Sequence, residues 1–167
     1  MKKLLGMVVA SAVVVGAWQW HHSGSATTDD SADAARNSKL IFDRVWIDHL
    51  PRGETDTIQI FLAIRGEGVG AFQATSMWAG NYEAFRFEAK GGEMRAVFPQ
   101  TRERETIKLD ATECHDVDNM DYCLDVVGAS RGVKHYYSGE GWEIGANTTL
   151  AAAVAQAKQL AAAQLAR

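Results

Sequence analysis

The sequence predicts a mostly β domain: an antiparallel meander closing into a small barrel, followed by an Ala-rich C-terminal helix. Three observations carry this. Between residues 40 and 146, apolar residues recur at period two in short runs, the pattern of strands with one buried face. Turn residues interrupt the runs roughly every 8–12 residues, which gives about eight strands. No helix-length pattern separates them, which argues against a parallel α/β sheet. A β-sandwich is the alternative closure.

The elements read in order as follows. Leu40 to Leu50 is the first apolar run, broken by Pro51-Arg52-Gly53. Thr57 to Arg65 is the clearest strand, with Ile58, Ile60, Leu62 and Ile64 on one face. After Gly66, Gly68 and Gly70 comes Ala71 to Trp78, then a turn at Ala79-Gly80-Asn81. Tyr82 to Ala89 sets Phe85 and Phe87 on one face, and Gly91-Gly92 signals a hairpin. Glu93 to Phe98 ends at Pro99, and Thr101 to Leu109 begins with charges of alternating sign that suit an exposed edge or a solvated turn. Tyr122 to Val127, Val133 to Ser138 and Trp142 to Ile144 complete the β region. Asn147, Thr148 and Thr149 are good capping residues for a helix over the Ala-rich tail to Arg167, with Leu150, Val154, Ala157, Ala161 and Leu165 as one narrow stripe that lies on the barrel.

The first 26 residues read as an export signal. Lys2 and Lys3 form a basic start, Leu4 to Val15 an apolar run, and Gly24-Ser25-Ala26 a cleavage site of small residues. An uncleaved inner-membrane anchor over residues 4–20, with Trp18 and Trp20 at the interface, is the alternative. Residues 27–39 read as a flexible linker, 40–146 as the β domain and 147–167 as the helix. His21 and His22 lie in a polar stretch without the convergent ligands a metal site needs. The leader implies a periplasmic or extracellular location, and its charge pattern and length suit a bacterial protein. The formal charge of −4 over 167 residues becomes about −6 without the two leader lysines, with no electrostatic footprint for nucleic acid.

In outline, a closed meander carrying a C-terminal helix resembles the lipocalin-like barrels. The likeness is of architecture alone. Val45-Trp46-Ile47 stands where those proteins carry Gly-x-Trp, and no Thr-Asp-Tyr turn occurs. Architecture does not carry function, so no family follows from it.

No motif dictates a chemistry. In an exported chain, Cys114 and Cys123 read as a disulfide; zinc held by these with His115 is disfavoured because neighbouring residues share one ion poorly. Asp116, Asp118 and Asp121 form an acidic loop, but Met120 falls where a calcium loop needs its third oxygen and the glycine is missing. Asp48 and His49 neighbour each other, with Glu54 and Asp56 following, yet adjacent strand residues point to opposite faces. His135 has no evident partner, and no Gly-x-Ser-x-Gly nucleophile motif occurs. No cofactor or metal is expected. The aromatics are the better lead. Trp78, Tyr136, Tyr137 and Trp142, with Arg131 as a polar handle, are the candidate ligand- or partner-binding residues. The expected function is an exported barrel that binds a small apolar ligand or an envelope protein without catalysis. A cavity-free interaction or inhibitor-like domain is the alternative, and a hydrolytic enzyme comes third.

Overall fold

The computed structural model describes residues 36–76, 79–114, 117, 119–145 and 147–165. Eight antiparallel strands run in sequence order and close into a barrel, β1 pairing with β8. They are β1 (Val45–Ile47), β2 (Ile58–Ile64), β3 (Val69–Thr75), β4 (Gly80–Lys90), β5 (Glu93–Val97), β6 (Arg104–Glu113), β7 (Tyr122–Val127) and β8 (His135–Ser138). A helix over Leu150–Leu165 follows. The expected barrel and helix are therefore present, and the sandwich alternative is excluded by closure. Among the described residues no helix is long and apolar enough to cross a membrane. The segment expected as a leader or membrane anchor, residues 1–26, lies outside the described residues.

Two differences from the sequence reading stand at the N-terminal side. Residues 36–41 are helical, so the stretch expected as the end of a linker belongs to the folded domain. Asn37 ties it down, donating to Asp110 at 2.6 Å and accepting from the Ala111 amide at 3.1 Å. The first strand then shrinks to three residues, because Asp43 takes a left-handed turn at φ 57°, which a short polar side chain tolerates. Its carboxylate accepts the Arg65 amide at 2.9 Å.

Alternation along the strands sends one set of side chains inward. Trp46, Phe61, Phe72, Phe85, Phe87, Met94, Phe98, Ile107, Leu124 and Tyr136 all belong to one buried cluster. Within it, a column of rings runs the length of the barrel. Phe42 stacks on Phe87 at 5.5 Å, Phe87 meets Phe85 at 6.0 Å, and Phe85 meets Phe98 at 5.5 Å. Phe61 and Phe72 widen the column at 5.1 Å from each other. These separations are those of aromatic rings in direct contact. Gly70 makes room for it: a Cβ there would lie 2.4 Å from the Phe85 ring.

The outward set of β1 and β2 is apolar as well. Val45, Ile47, Ile58, Ile60, Leu62 and Ile64 form a second buried cluster with Trp142, Ile144, Ala153, Ala157 and Ala161. The C-terminal segment is thus the cover of this wall. The buried seam of the helix is Ala153, Ala157 and Ala161, with Leu150 and Val154 only half-buried. It is narrower than the expected stripe, since alanine lets the helix axis approach the branched side chains of β2 closely. Thr149 caps the helix, its hydroxyl accepting the Ala152 amide at 3.3 Å.

β1 and β8 share one registered pair, Ile47↔Tyr137, so the seam depends on other bonds. Arg44, almost wholly buried, donates to the Gly139 carbonyl at 2.8 Å and pairs with Glu143. Its guanidinium sits 4.3 Å from the Tyr122 ring centroid. The Val45 amide donates to Trp142 and the Ile144 amide to Asp43. On the neighbouring loop, Cys114 and Cys123 are bonded as expected, with Cα atoms 5.6 Å apart.

Two outcomes follow from this packing. Phe85→Ala removes the ring at the centre of the column and costs about 3–5 kcal/mol in urea unfolding. Replacing both cysteines by serine frees a loop with a sequence separation of 9 and lowers stability by about 2–3 kcal/mol through the unfolded chain, with the strand content by circular dichroism unchanged.

Candidate functional site

The interior, the natural place for an apolar ligand, is occupied by the protein's own rings, and both mouths are closed. At one mouth Phe42 covers the column, with the Arg65 guanidinium 4.5 Å from its ring centroid. Arg65 also bonds Ser38 in the helical turn. At the other mouth Arg131 lies 3.7 Å from the Phe98 ring centroid. Its guanidinium pairs with Glu105 and Glu103, and its Nε sits 2.8 Å from Glu83 as an ion pair without hydrogen-bond alignment. The three carboxylates, Glu83 foremost, raise the Arg131 pKa further above its already high value. Hydrogen bonds from Arg131 and Thr101 in turn hold the Glu103 carboxyl below its ordinary value.

Of the expected binding residues that are described, Arg131, Tyr136 and the pair Tyr137 and Trp142 stand in three different places. Arg131 is a plug. Tyr136 lies inside the barrel with its hydroxyl accepting the Val133 amide at 3.0 Å, and burial pushes its pKa up to about 12. Tyr137, on the opposite face, and Trp142 pack into the outer apolar cluster. The alternation of a strand separates Tyr136 from Tyr137, so the aromatic rim expected of them does not form. Trp78, His115, Asp116 and Asp118 lie outside the described residues. Asp121 binds the Glu140 amide at 2.7 Å.

What the molecule does offer is a groove on its outer wall, with a volume of about 310 Å³. One side is the β1–β2 loop with Pro51, Gly53 and Asp56; the second is the β3–β4 turn with Thr75, Ser76, Ala79 and Gly80. The third is the helix with Lys158, Gln159 and Ala162, and Ile58 with the buried Ala161 supplies apolar surface. The β3–β4 turn is tight, the Ser76 amide donating to the Ala79 carbonyl at 2.7 Å. Trp78 sits in sequence between two of these lining residues. Sequence reasoning missed the groove because its walls come from three distant segments.

The β1–β2 loop holds a second arrangement the sequence did not show. His49 lies past the end of β1, where strand alternation no longer applies. Its Nδ1 is 2.9 Å from Asp48 and its Nε2 3.1 Å from Asp56. Asp48 also accepts the Gln59 amide at 2.8 Å, and Asp56 the Arg52 amide at 2.9 Å. That backbone bond is the foremost cause holding the Asp56 carboxyl below its ordinary value, with His49 adding to it. Both ring nitrogens thus face carboxylates, a geometry that braces a loop and leaves neither nitrogen for a third group. His135 also finds a partner, Asp125 across the β7–β8 ladder at 2.6 Å, with both side chains exposed. Among the described residues no group of three or more His, Cys, Asp or Glu side chains is placed to hold a metal ion.

The depressed carboxyls contribute to the loss of stability in acid. For Asp56 and Glu103 the stabilising contribution is complete above their ordinary values of 3.8 and 4.5 and is lost as pH falls through the lower folded values. Urea midpoints should therefore fall on acidification below those values, and less steeply in Asp56→Asn than in the parent chain.

No protein-family model, curated protein or solved structure matches this chain, so geometry alone carries the functional reading.

Proposed function

We propose that this chain is an exported, non-catalytic binding module of the bacterial cell envelope or exterior, and that it binds through the groove on its outer wall. The observation that carries the reading is the filled column from Phe42 to Phe98, which leaves the barrel interior to the protein itself. Binding is thereby moved outward, to the groove between the helix and the two loops. Its size falls at the lower end of the roughly 300–1,000 Å³ range of ligand pockets. The disulfide suits an oxidising compartment, in keeping with the leader in the sequence; the cleaved, periplasmic or extracellular form is the reading we favour over an inner-membrane anchor.

Ala162 is exposed and lines the groove, so Ala162→Trp fills it without disturbing the packed seam. Native mass spectrometry of the chain secreted to a bacterial periplasm should show an additional bound mass that leaves on denaturation. The variant should lose that mass while keeping its urea midpoint. Retention of the mass by the variant, or a bare chain from both strains, contradicts the reading.

A further inference from the structure

The β1–β2 loop has little apolar burial to hold it. From Leu50 to Thr57 no residue is fully buried, and Leu50 packs half-buried against the outer cluster. The backbone bond inside the loop runs from the Asp56 amide to the Gly53 carbonyl at 3.2 Å. A segment of this kind opens at low cost unless polar ties fasten it.

His49 is such a tie, and its two partners are anchored separately. Asp48 belongs to the barrel. Its amide donates to the Gln59 carbonyl at 3.0 Å and its carboxylate accepts the Gln59 amide at 2.8 Å, both on β2. Asp56 belongs to the loop, where its carboxylate accepts the Arg52 amide at 2.9 Å. The imidazole stands between them, with Nδ1 2.9 Å from Asp48 and Nε2 3.1 Å from Asp56. One ring thus joins the end of the barrel to the loop.

A histidine carries either one N–H or two. Protonated, this ring has an N–H on each of the nitrogens that face a carboxylate. Neutral, it has one, and the other nitrogen sets a lone pair against an anionic oxygen within ion-pair distance. Histidine ordinarily changes its charge between about pH 5 and 8. The other charged groups about the brace are Arg52 and Glu54 on the loop and Lys158 on the helix across the groove, residue types that do not ordinarily titrate there. On β8, Tyr136 is near enough for Asp48 to add to the burial that pushes its pKa up to about 12. Asp56 is held below its ordinary 3.8, foremost by the Arg52 amide, so it stays an anion well into acid. The tie is therefore complete while the ring is protonated and is lost as pH rises through the histidine range.

We propose that His49 is a pH-sensitive tie: protonated, it fixes the β1–β2 loop to the end of the barrel, and neutral, it lets the loop go. Pro51, Gly53 and Asp56 of that loop form one side of the groove. An ordered wall binds without first having to be ordered. Resting on the reading that the groove is the binding site, the tie makes it one that holds its occupant below about pH 6 and releases it near about pH 8.

The test uses the full chain as secreted, labelled with nitrogen-15 and followed by nuclear magnetic resonance from about pH 5 to about pH 8. The His49 ring should show an N–H on both nitrogens at the acid end. The protection of the Arg52 and Asp56 amides should fall about three- to fivefold with the midpoint of His49, the size a part-exposed ion pair supports. Ile60 and Leu62 on β2 should keep theirs. His49→Gln, which takes no charge, should show the lower protection throughout, and His135→Gln should keep the step. A His49 that titrates without a change at Arg52 and Asp56, or a step that survives in His49→Gln, overturns the tie. Native mass spectrometry reads the coupling to the groove: mass captured on secretion should remain at about pH 6 and leave at about pH 8 in the parent, with no such difference in His49→Gln. Equal retention in the parent at both overturns the coupling. The loop step supports the tie even where Ala162→Trp retains the mass, an outcome that overturns the groove reading alone.

Discussion

The structure hangs on a column of phenylalanine rings with an arginine over each end. Phe42, Phe87, Phe85 and Phe98 follow one another through the barrel, Arg65 lies over the first ring and Arg131 over the last. The rings exclude water from the interior, and burial of such side chains is the main favourable term in folding. The arginines finish each mouth with a charge that stays partnered: Arg65 through hydrogen bonds to Ser38, Arg131 through hydrogen bonds to Glu103 and Glu105 and an ion pair with Glu83. A barrel of this kind is a solid post. The proposed binding site accordingly lies on its outer wall.

The same economy of residues explains where the outer site lies. β1 is three residues long and meets β8 at a single registered pair. The wall formed by β1 and β2 is apolar on both faces, so it needs a cover that a short seam does not provide. The segment after β8 supplies it, anchored by Arg44 to Gly139 and Glu143 and laid down through Ala153, Ala157 and Ala161. Where the helix edge meets the β1–β2 loop and the β3–β4 turn, the cover does not fit flush, and the groove is that gap. Closing the barrel and creating the site are thus consequences of one arrangement.

Much of the fold was legible in the sequence. Period-two runs set the inward rings, and Ile58 to Ile64 were recognised as one face. Tyr122–Val127 was bounded as found, and the cysteine pair was read from compartment logic. The reading weakened where local pattern is silent about distant partners. Residues 36–39 looked like linker because their order comes from Asp110, Ala111 and Arg65, far along the chain. Leu40 to Leu50 looked like a strand because the turn at Asp43 leaves no hydrophobic signature. Tyr136, Tyr137 and Trp142 lie close in sequence, and strand alternation parts Tyr136, inside the barrel, from Tyr137 and Trp142 in the outer cluster. The groove is made of segments whose meeting only the closed barrel determines, and the Asp48–His49–Asp56 brace, though local, depends on a loop conformation past β1 that strand alternation does not describe.

The central claim, that the barrel is a filled support and not a container, is tested most directly by diffraction from crystals under xenon pressure. Xenon enters dry apolar cavities and marks them with strong scattering. The account predicts no xenon among Phe61, Phe72, Phe85 and Tyr136. Density for xenon inside that ring of side chains would show a cavity and return the ligand to the interior.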